Sequence, residues 1–441
     1  MSECHSALWV FLFYNVIIHK AYKFRLSPTT EQEQSLRQHA GNTRFLYNHL
    51  LDLNIKKYET EKKFIFGHEM IMSLPKLKEE YEFLGLSFSQ SLQQVGRHLD
   101  KALKDAFDKS QPEKKFPQFK KKRNNRDSFT VPQKFRVEKN CVFIPKIGEI
   151  PWIKHRAIKG KVKHLTVKQD GSQWYCSVNV ELRVKEPKPL IKPENMISAD
   201  MGIKTFATLT SGEPVDLEKI TKKEDKKLRK CHRHLSRKKE GSNNRKKHLN
   251  RLQVLYRKIR NKRKNFQHQE SHNMINKYDG IFLETLNIKG MMSNHCLSKA
   301  VQNCAWYQFI TFLKYKCEQQ GKPFIQINRW EATSKKCCRC GWYHKELKLK
   351  DRTFICQECG LVLDRDINAS INIYKIGIIE YLGLEIPWDS RESFNLYISL
   401  KGDEVVKQTP GERGGCSTSV QCPSENQEKE VIGLDLLEKI C

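Results

Sequence analysis

Four cysteines arranged as two Cys-x-x-Cys pairs are the clearest chemical feature of the sequence. Cys337 and Cys340 form the first pair, Cys356 and Cys359 form the second, and fifteen residues separate the pairs. A glycine directly follows each pair. This spacing predicts a zinc ribbon, in which four thiolates bind one structural Zn²⁺ tetrahedrally. A redox pair or chance clustering is the alternative, and Cys338 inside the first pair leaves a shifted ligand choice open.

Acidic residues at the ends of apolar runs form the second chemical feature. Asp200 ends the run MISAD and Glu284 ends the run GIFLE, and a buried carboxylate is costly unless it is paired or binds a metal. Asp364 and Asp366 follow the second cysteine pair, where capping of a helix is the ordinary interpretation. Three such acids could converge on two divalent ions, which would activate water and stabilise the leaving oxygen in the hydrolysis of a phosphodiester. Mg²⁺ suits carboxylates, water and substrate oxygens.

Several segments resemble, in order, the TnpB proteins of bacterial insertion sequences, also known as OrfB transposases and related to type V CRISPR effectors. The similar segments, between residues 20 and 380, are KAYKFRLSPTTEQ, FPQFKKKRNNRDSFTVPQ, GKVKHLTVKQDGSQWYCSV, ADMGIKTFATL, FLETLNIKGM, TSKKCCRCG and CQECGLVLDRDINASINI. The resemblance implies a RuvC-like nuclease guided by RNA, with Asp200, Glu284 and an aspartate of DRDIN as catalytic acids. Because the last acid of the family belongs to an Asp-x-Asn motif, Asp366 is expected to fill that role. Asp364 is then expected to cap the helix or support the site.

The charge balance indicates a polyanionic partner. The chain has 441 residues, with 80 Lys and Arg against 50 Asp and Glu, so its formal net charge is +30. Basic residues occur along most of the chain, which favours a long bound nucleic acid over an acidic membrane surface.

Fifteen cysteines, an odd number, together with a zinc site indicate a reducing cytosol. The apolar residues 7–18 are too few to span a bilayer and lack the features of a signal peptide, so we expect a cytoplasmic bacterial protein that joins the nucleoid when bound to DNA.

The N-terminal half predicts two nucleic-acid-binding domains. Alternating strand patterns at 20–30 and 112–188 predict a small β-barrel, an architecture that often binds oligonucleotides. Residues 31–111 have helical periodicity and predict a helical recognition domain, whose first helix would begin at a capping box of Thr30 and Glu33. A basic run at 114–126 contains Phe116 and Phe119, which would stack on bases or pack inward. A solvated charge run is the alternative there.

The C-terminal half predicts an α/β core with insertions. Residues 195–332 alternate strands and helices and contain a basic helical pair at 216–265. The ribbon covers 333–363, and a helical segment at 364–384 ends the core. This order fits an RNase H-like fold, so the whole chain is expected to be a multidomain α/β protein. Residues 1–19 form an extension of unassigned role, and the polar residues 385–441 predict a disordered tail.

Three functions remain in competition. The first is an RNA-guided DNA endonuclease of a transposable element, in which Asp200 bridges two catalytic Mg²⁺ ions and Glu284 and Asp366 each complete one. Its partners would be a guide RNA and double-stranded target DNA, with the protein a monomer or weak dimer on its RNA and no membrane involved. RNA guidance is implied by the resemblance alone. The rivals are a transposase acting directly on element ends and a non-catalytic, zinc-dependent nucleic-acid-binding regulator.

Overall fold

The computed structural model describes residues 15–122, 127–185, 187, 189–216, 222–348 and 350–402. These residues divide into two compact units. The first contains the described parts of 1–186 and 228–256, and the second those of 187–227 and 257–441. No helix in the described ranges is long and apolar enough to cross a membrane.

A helical layer in the first unit has its own core of buried leucines. Its helices are α1 (Thr30–Glu61), α2 (Gly67–Met72), α3 (Leu74–Glu80) and α4 (Ser89–Phe107). The capping box predicted at Thr30 is wrong by one residue. Thr29 precedes α1 with extended backbone, and its hydroxyl accepts from the backbone N–H of Gln32 while the Gln32 side chain accepts from the backbone N–H of Thr29. Thr30 is already helical, so its own N–H lies inside the first turn.

The same unit contains a seven-stranded antiparallel sheet of order β2-β6-β7-β1-β5-β4-β3. Its strands are β1 (Asn15–Leu26), β2 (Ser128–Val131), β3 (Arg136–Val137), β4 (Cys141–Ile144), β5 (Gly148–Ile153), β6 (Lys161–Asp170) and β7 (Gln173–Lys185). β1 pairs with β7 along its whole length, so residues 15–19 of the predicted extension are part of this strand. Residues 1–14 lie outside the described ranges. Among the described strands, β2 and β3 end the order and no pairing joins them, so closure into a barrel stays a prediction.

Two basic helices follow the first strands of the second unit. They are α5 (Lys222–Ser236) and α6 (Asn243–Lys277). Residues 228–256, where the two helices meet, group with the first unit. There the guanidinium group of Arg245 donates to the backbone carbonyls of Leu235 and Lys238. These hydrogen bonds link the start of α6 to the end of α5 and the turn between the helices.

A five-stranded sheet organises the second unit. Its strands are β8 (Met196–Asp200), β9 (Ala207–Leu209), β10 (Pro214–Val215), β11 (Gly280–Glu284) and β12 (Phe324–Ile327). The order is β10-β9-β8-β11-β12. β8, β11 and β12 are parallel, whereas β9 is antiparallel to both of its neighbours.

Helices cover both faces of this sheet, which explains why β8 and β11 are buried at every position before their terminal acid. Helices α7 (Ile288–Ser293), α8 (His295–Cys304) and α9 (Trp306–Gln320) connect β11 to β12. Ile281 and Leu283 pack into the core that α8 and α9 share, whereas Phe282 points the other way, toward the helix α10 (Arg365–Leu382). The alternation of the strand thus distributes its side chains between two helical layers.

The ribbon adds a two-stranded sheet, β13 (Thr353–Ile355) and β14 (Val362–Asp364), and α10 begins directly after β14. A last helix, α11 (Arg391–Lys401), occupies part of the range predicted as a disordered tail. Phe394 and Tyr397 of α11 are buried in the core that contains α10. A neighbouring apolar surface therefore orders a segment whose local composition gave only a weak signal. Residues 403–441 of the predicted tail lie outside the described residues.

Candidate functional site

Two of the predicted acids lie side by side at one edge of the sheet. Asp200 is the last residue of β8, and Glu284 is the last residue of β11. These strands are parallel neighbours in which Ala199 pairs with Leu283, so the two acids occupy the next pair of positions. Neighbouring strands place such positions about 5 Å apart. Both side chains are half-buried, after four fully buried residues in each strand.

The third acid comes from the start of α10. Asp364 is exposed and caps this helix, since its carboxylate accepts hydrogen bonds from the backbone N–H groups of Asp366 (2.8 Å) and Ile367 (3.2 Å). Asp366, in the first turn, is half-buried and does not cap. The Ser198 hydroxyl of β8 donates to the backbone carbonyl of Ser370, which ties the first two turns of α10 to the strand that ends in Asp200.

The electrostatics of Asp200 show that the three acids form one cluster. Burial raises the pKa of Asp200 well above its usual range, and the negative charges of Glu284 and Asp366 raise it further. Burial also raises the pKa of Glu284. The guanidinium group of Arg365 opposes the shift at Asp200. Carboxyl groups whose ionised form is destabilised in this way are typical of a functional site that binds a cation.

Two arginines form ion pairs with Asp366. Arg352 and Arg365 contact its carboxylate at 3.5 and 3.3 Å.

Within the described chain, two groups of three or more possible metal ligands have their ligand atoms within 4.8 Å of one another. They are the four ribbon cysteines and an exposed group of Glu138, Cys141 and Glu149. The three acids are not among these groups, so their oxygens are spread more widely than one ion would need.

The four predicted cysteines do converge. The Sγ atoms of Cys337 and Cys359 are 3.6 Å apart, and those of Cys340 and Cys356 are 3.5 Å apart. In each pair the backbone N–H of the following glycine donates to the carbonyl of the first cysteine, so the two turns have the same geometry. Both glycines, Gly341 and Gly360, have positive φ angles of 80° and 69°, which favour glycine.

These sulfur positions fit a tetrahedral ion. A Zn–S bond of about 2.3 Å places two ligand sulfurs about 3.8 Å apart, close to the observed separations. Burial raises the pKa of the Cys337 thiol and raises that of Cys340 to about 11, so a bound cation would be needed to hold them as thiolates. Cys338 is fully buried but does not belong to the cluster, which favours the unshifted ligand set.

Sequence reasoning missed three residues of α10 that hold the first cysteine turn. Asn368, Asn372 and Lys375 are each 0% exposed. The Asn372 amide donates to the backbone carbonyls of Thr333 (2.7 Å) and Lys336 (2.8 Å), and the Lys375 ammonium donates to that of Cys338 (2.7 Å). Polar residues at this helical spacing inside an otherwise apolar helix were the available signal.

Comparison with known proteins places the chain in a family. A protein of Escherichia coli strain K12 named "Putative RNA-guided DNA endonuclease InsQ" is 31% identical over 378 residues, which cover 81% of this chain and 92% of that protein. The chain belongs to the TnpB family. A second relative, from Streptomyces pristinaespiralis and named "Putative RNA-guided DNA endonuclease", is 29% identical over 400 residues, covering 89% of this chain and 96% of that one.

Three family profiles match successive segments. Residues 18–63 match a profile described as a helix-turn-helix domain, 177–295 one described as "Probable transposase", and 306–373 one described as a "Cas12f1-like, TNB domain". In the structure the first segment forms β1 and the single continuous helix α1. A solved Cas12f1–sgRNA–target DNA complex is similar with a TM-score of 0.49 and 14% identity, covering 81% of this chain and 99% of that one.

Proposed function

We propose that this protein is an RNA-guided DNA endonuclease of a transposable element that hydrolyses phosphodiesters at Asp200, Glu284 and Asp366. The observation that carries the proposal is the cluster itself. Burial raises the pKa of Asp200 at the end of β8, and the negative charges of Glu284 at the end of β11 and of Asp366 on α10 raise it further. The names of both full-length relatives support the same activity.

The topology of the sheet supports a RuvC-like core. Numbered along the chain, its strands lie in the order 3-2-1-4-5, and only the second is antiparallel to the others. This is the arrangement of RNase H-like folds, to which RuvC nucleases belong. Asp200 ends the central strand and Glu284 ends its parallel neighbour, where ligands of parallel sheets bind.

Two Mg²⁺ ions would polarise the scissile phosphate and lower the pKa of the attacking water. The residues present fit this requirement, because three carboxylates lie near one another but too far apart for one ion to touch all three. Because Asp200 interacts with both other acids, it would be the carboxylate shared by the two ions, and Glu284 and Asp366 would each help to hold one of them. The ion pairs with Arg352 and Arg365 restrict the carboxylate of Asp366.

The proposed partners are a guide RNA and double-stranded target DNA. The net charge of +30 provides the positive surface that two nucleic acids require. In guided effectors base pairing reads the sequence while the protein holds the backbone, so no base-reading helix is needed. We propose that the protein acts as a monomer or weak dimer with its RNA.

One Zn²⁺ bound by Cys337, Cys340, Cys356 and Cys359 is the proposed structural ion. Its function in this chain follows from Asn372 and Lys375, which link the first cysteine turn to α10. A closed four-sulfur site has no free coordination position and does no chemistry of its own. It fixes the turn on which the helix that carries Asp366 rests.

The decisive experiment is to express the chain with its own flanking locus, isolate the RNA that co-purifies, and test cleavage of matching double-stranded DNA. We expect cutting that requires both the RNA and Mg²⁺ and that Asp200→Ala abolishes. Asp366→Asn should also abolish cutting. Asp364→Asn is the matched control, because asparagine caps a helix as well as aspartate does, and it should cut normally.

Two other outcomes would favour the rivals. Bound RNA without cutting would indicate a nucleic-acid-binding regulator. Cutting without RNA would indicate a transposase that acts directly on element ends. The described structure gives the transposase no support, because the segment that matches a helix-turn-helix profile contains one unbroken helix.

A further inference from the structure

An exposed tryptophan lies at the same edge of the sheet as the acids. β12 is parallel to β11, and its last residue, Ile327, pairs with Glu284. The chain therefore leaves β12 beside the acid cluster, and Trp330 follows three residues later. Trp330 is 77% exposed, although a side chain of this size is usually largely buried.

The turn that presents Trp330 is fixed by hydrogen bonds. The backbone N–H of Trp330 donates to the side-chain oxygen of Asn328 (3.2 Å), and that of Glu331 donates to the Asn328 carbonyl (3.3 Å). The Trp388 indole N–H donates to the Glu331 carboxylate at 2.9 Å. Because the backbone on both sides of Trp330 is held, binding a partner would order few additional residues.

The environment of the ring suits a nucleobase. The guanidinium group of Arg329 lies over the Trp330 ring, 4.3 Å from its centroid. With a cation on one face and most of the side chain in solvent, the ring can accept another flat group. An exposed indole next to a positive charge is the combination that single-stranded nucleic acids bind, because bases stack on the ring while the cation favours the phosphates.

We propose that Trp330 is a substrate-binding residue that stacks on an unpaired base of the DNA strand close to the scissile phosphate. The inference rests on the function proposed above, since it assumes that the acids act on DNA. Three extended residues span at most about 10 Å, so Trp330 lies within a few nucleotides of a phosphate held near Glu284. A strand that leaves the duplex to reach the acids exposes its bases, and stacking would hold it in place.

The test compares DNA targets that lack single bases around the cut site mapped with the wild-type protein. The full chain with its co-purified RNA would be used, as wild type, Trp330→Ala and Trp330→Phe. We expect Trp330→Ala to slow single-turnover cleavage of intact DNA roughly 5- to 150-fold, the range for loss of one base–aromatic stack. Trp330→Phe retains an aromatic face and should recover most of the rate.

The abasic targets provide a readout that a purely structural role would not change. At one position, removing the base should slow the wild type to the rate of Trp330→Ala and cause no further loss in that variant. Tyr381→Ala is the matched control. Tyr381 is also exposed, but it lies fifteen residues after Asp366 on α10, about 22 Å away along the helix axis, so its rate should not change.

Unchanged cleavage by Trp330→Ala, or losses that multiply at every abasic position, would overturn the inference. A wild-type protein that binds RNA and DNA but makes no cut would instead contradict the proposed function. In that case a set of single DNA strands, each lacking one base at a different position along the whole target, would be bound to wild type and Trp330→Ala, and their affinities decide the stacking interaction separately. Stacking is supported if the affinity of the variant, unlike that of the wild type, does not depend on which base is removed. Stacking is excluded if the affinities of both proteins depend equally on the removed base.

Discussion

The side-chain oxygen of Asn368 accepts a hydrogen bond from the backbone N–H of Cys338 at 2.9 Å. The amide nitrogen of the same side chain donates to the Lys336 carbonyl at 2.8 Å. Asn368 lies two residues after Asp366, the proposed third acid. The first cysteine turn and the start of α10 are therefore joined by a buried side chain that satisfies a donor and an acceptor of the turn.

Asn368→Ala should destabilise the protein and impair cutting together. Removing the amide leaves the buried N–H of Cys338 without a partner, at a cost of about 1–3 kcal/mol. Urea unfolding would measure the stability, and single-turnover cleavage would measure the effect on Asp366. Asn395→Ala, at an exposed position of α11, is the control and should change neither. A change of less than 0.5 kcal/mol, roughly that of an ordinary surface substitution, would contradict this account of Asn368.

Loss of the ribbon ion should also affect α10. We expect Cys356→Ser to contain no zinc when measured by elemental analysis. It should also unfold at a lower temperature, because the remaining buried cysteines lose the ion that holds them together. Cutting should fall with it, since the turn held by Asn372 and Lys375 would loosen. Cys296→Ser changes an exposed cysteine outside the cluster and should keep the zinc content, melting temperature and activity of the wild type. Normal stability of a zinc-free Cys356→Ser protein would show that the ion has no structural function.

Asp200→Asn should abolish cutting and yet stabilise the magnesium-free protein. The pKa of Asp200 in the folded protein is raised above its unfolded value of about 3.9, so the folded state binds more protons between these two pKa values. Its stability therefore falls as pH rises through that window, by up to about 1.4 kcal/mol per pH unit, and asparagine removes this loss.

Thermal unfolding of wild type and Asp200→Asn between pH 4 and pH 8 would measure this effect. The buffer should lack both magnesium and chelators, because a chelator would also remove the ribbon ion. The stabilisation should be small at pH 4 and increase toward pH 8. An equal effect at all pH values would mean that Asp200 is not destabilised by its neighbours.

Gly377→Ala should disturb the packing of α10 against β11. A Cβ atom at Gly377 would overlap the ring of Phe282, which sits in the strand that ends in Glu284. Overpacking of this kind costs about 1–3 kcal/mol and would shift Asp366 relative to Glu284, so unfolding and cleavage should both show the change. Gly41→Ala in α1 is the control, because no atom lies within 4 Å of its added methyl group, and it should be neutral or slightly stabilising. Equal stability of the two variants would contradict the close helix–strand contact.

The sequence by itself determined the features that depend on local spacing. The cysteine pairs, their glycines, the apolar strands that end in Asp200 and Glu284, and the helix start at Asp364 follow from residue type and short periodicities, because each structure forms within a few residues. Boundaries were less certain. The capping residue of α1 is Thr29 rather than Thr30, and β1 begins before residue 20.

Tertiary structure decided what depends on partners distant in sequence. Parallel pairing of β8 with β11 brings together acids 84 residues apart, and only this pairing makes Asp200 electrostatically dependent on Glu284. In the same way, Asn368 belongs to a motif visible in the sequence, but its contact with Cys338 exists only because the ribbon folds back onto α10. Helix α11 orders because a neighbouring apolar surface covers Phe394 and Tyr397. Hydrogen bonds, burial and Coulomb interactions of this kind require the chain to be folded, so no local pattern encodes them.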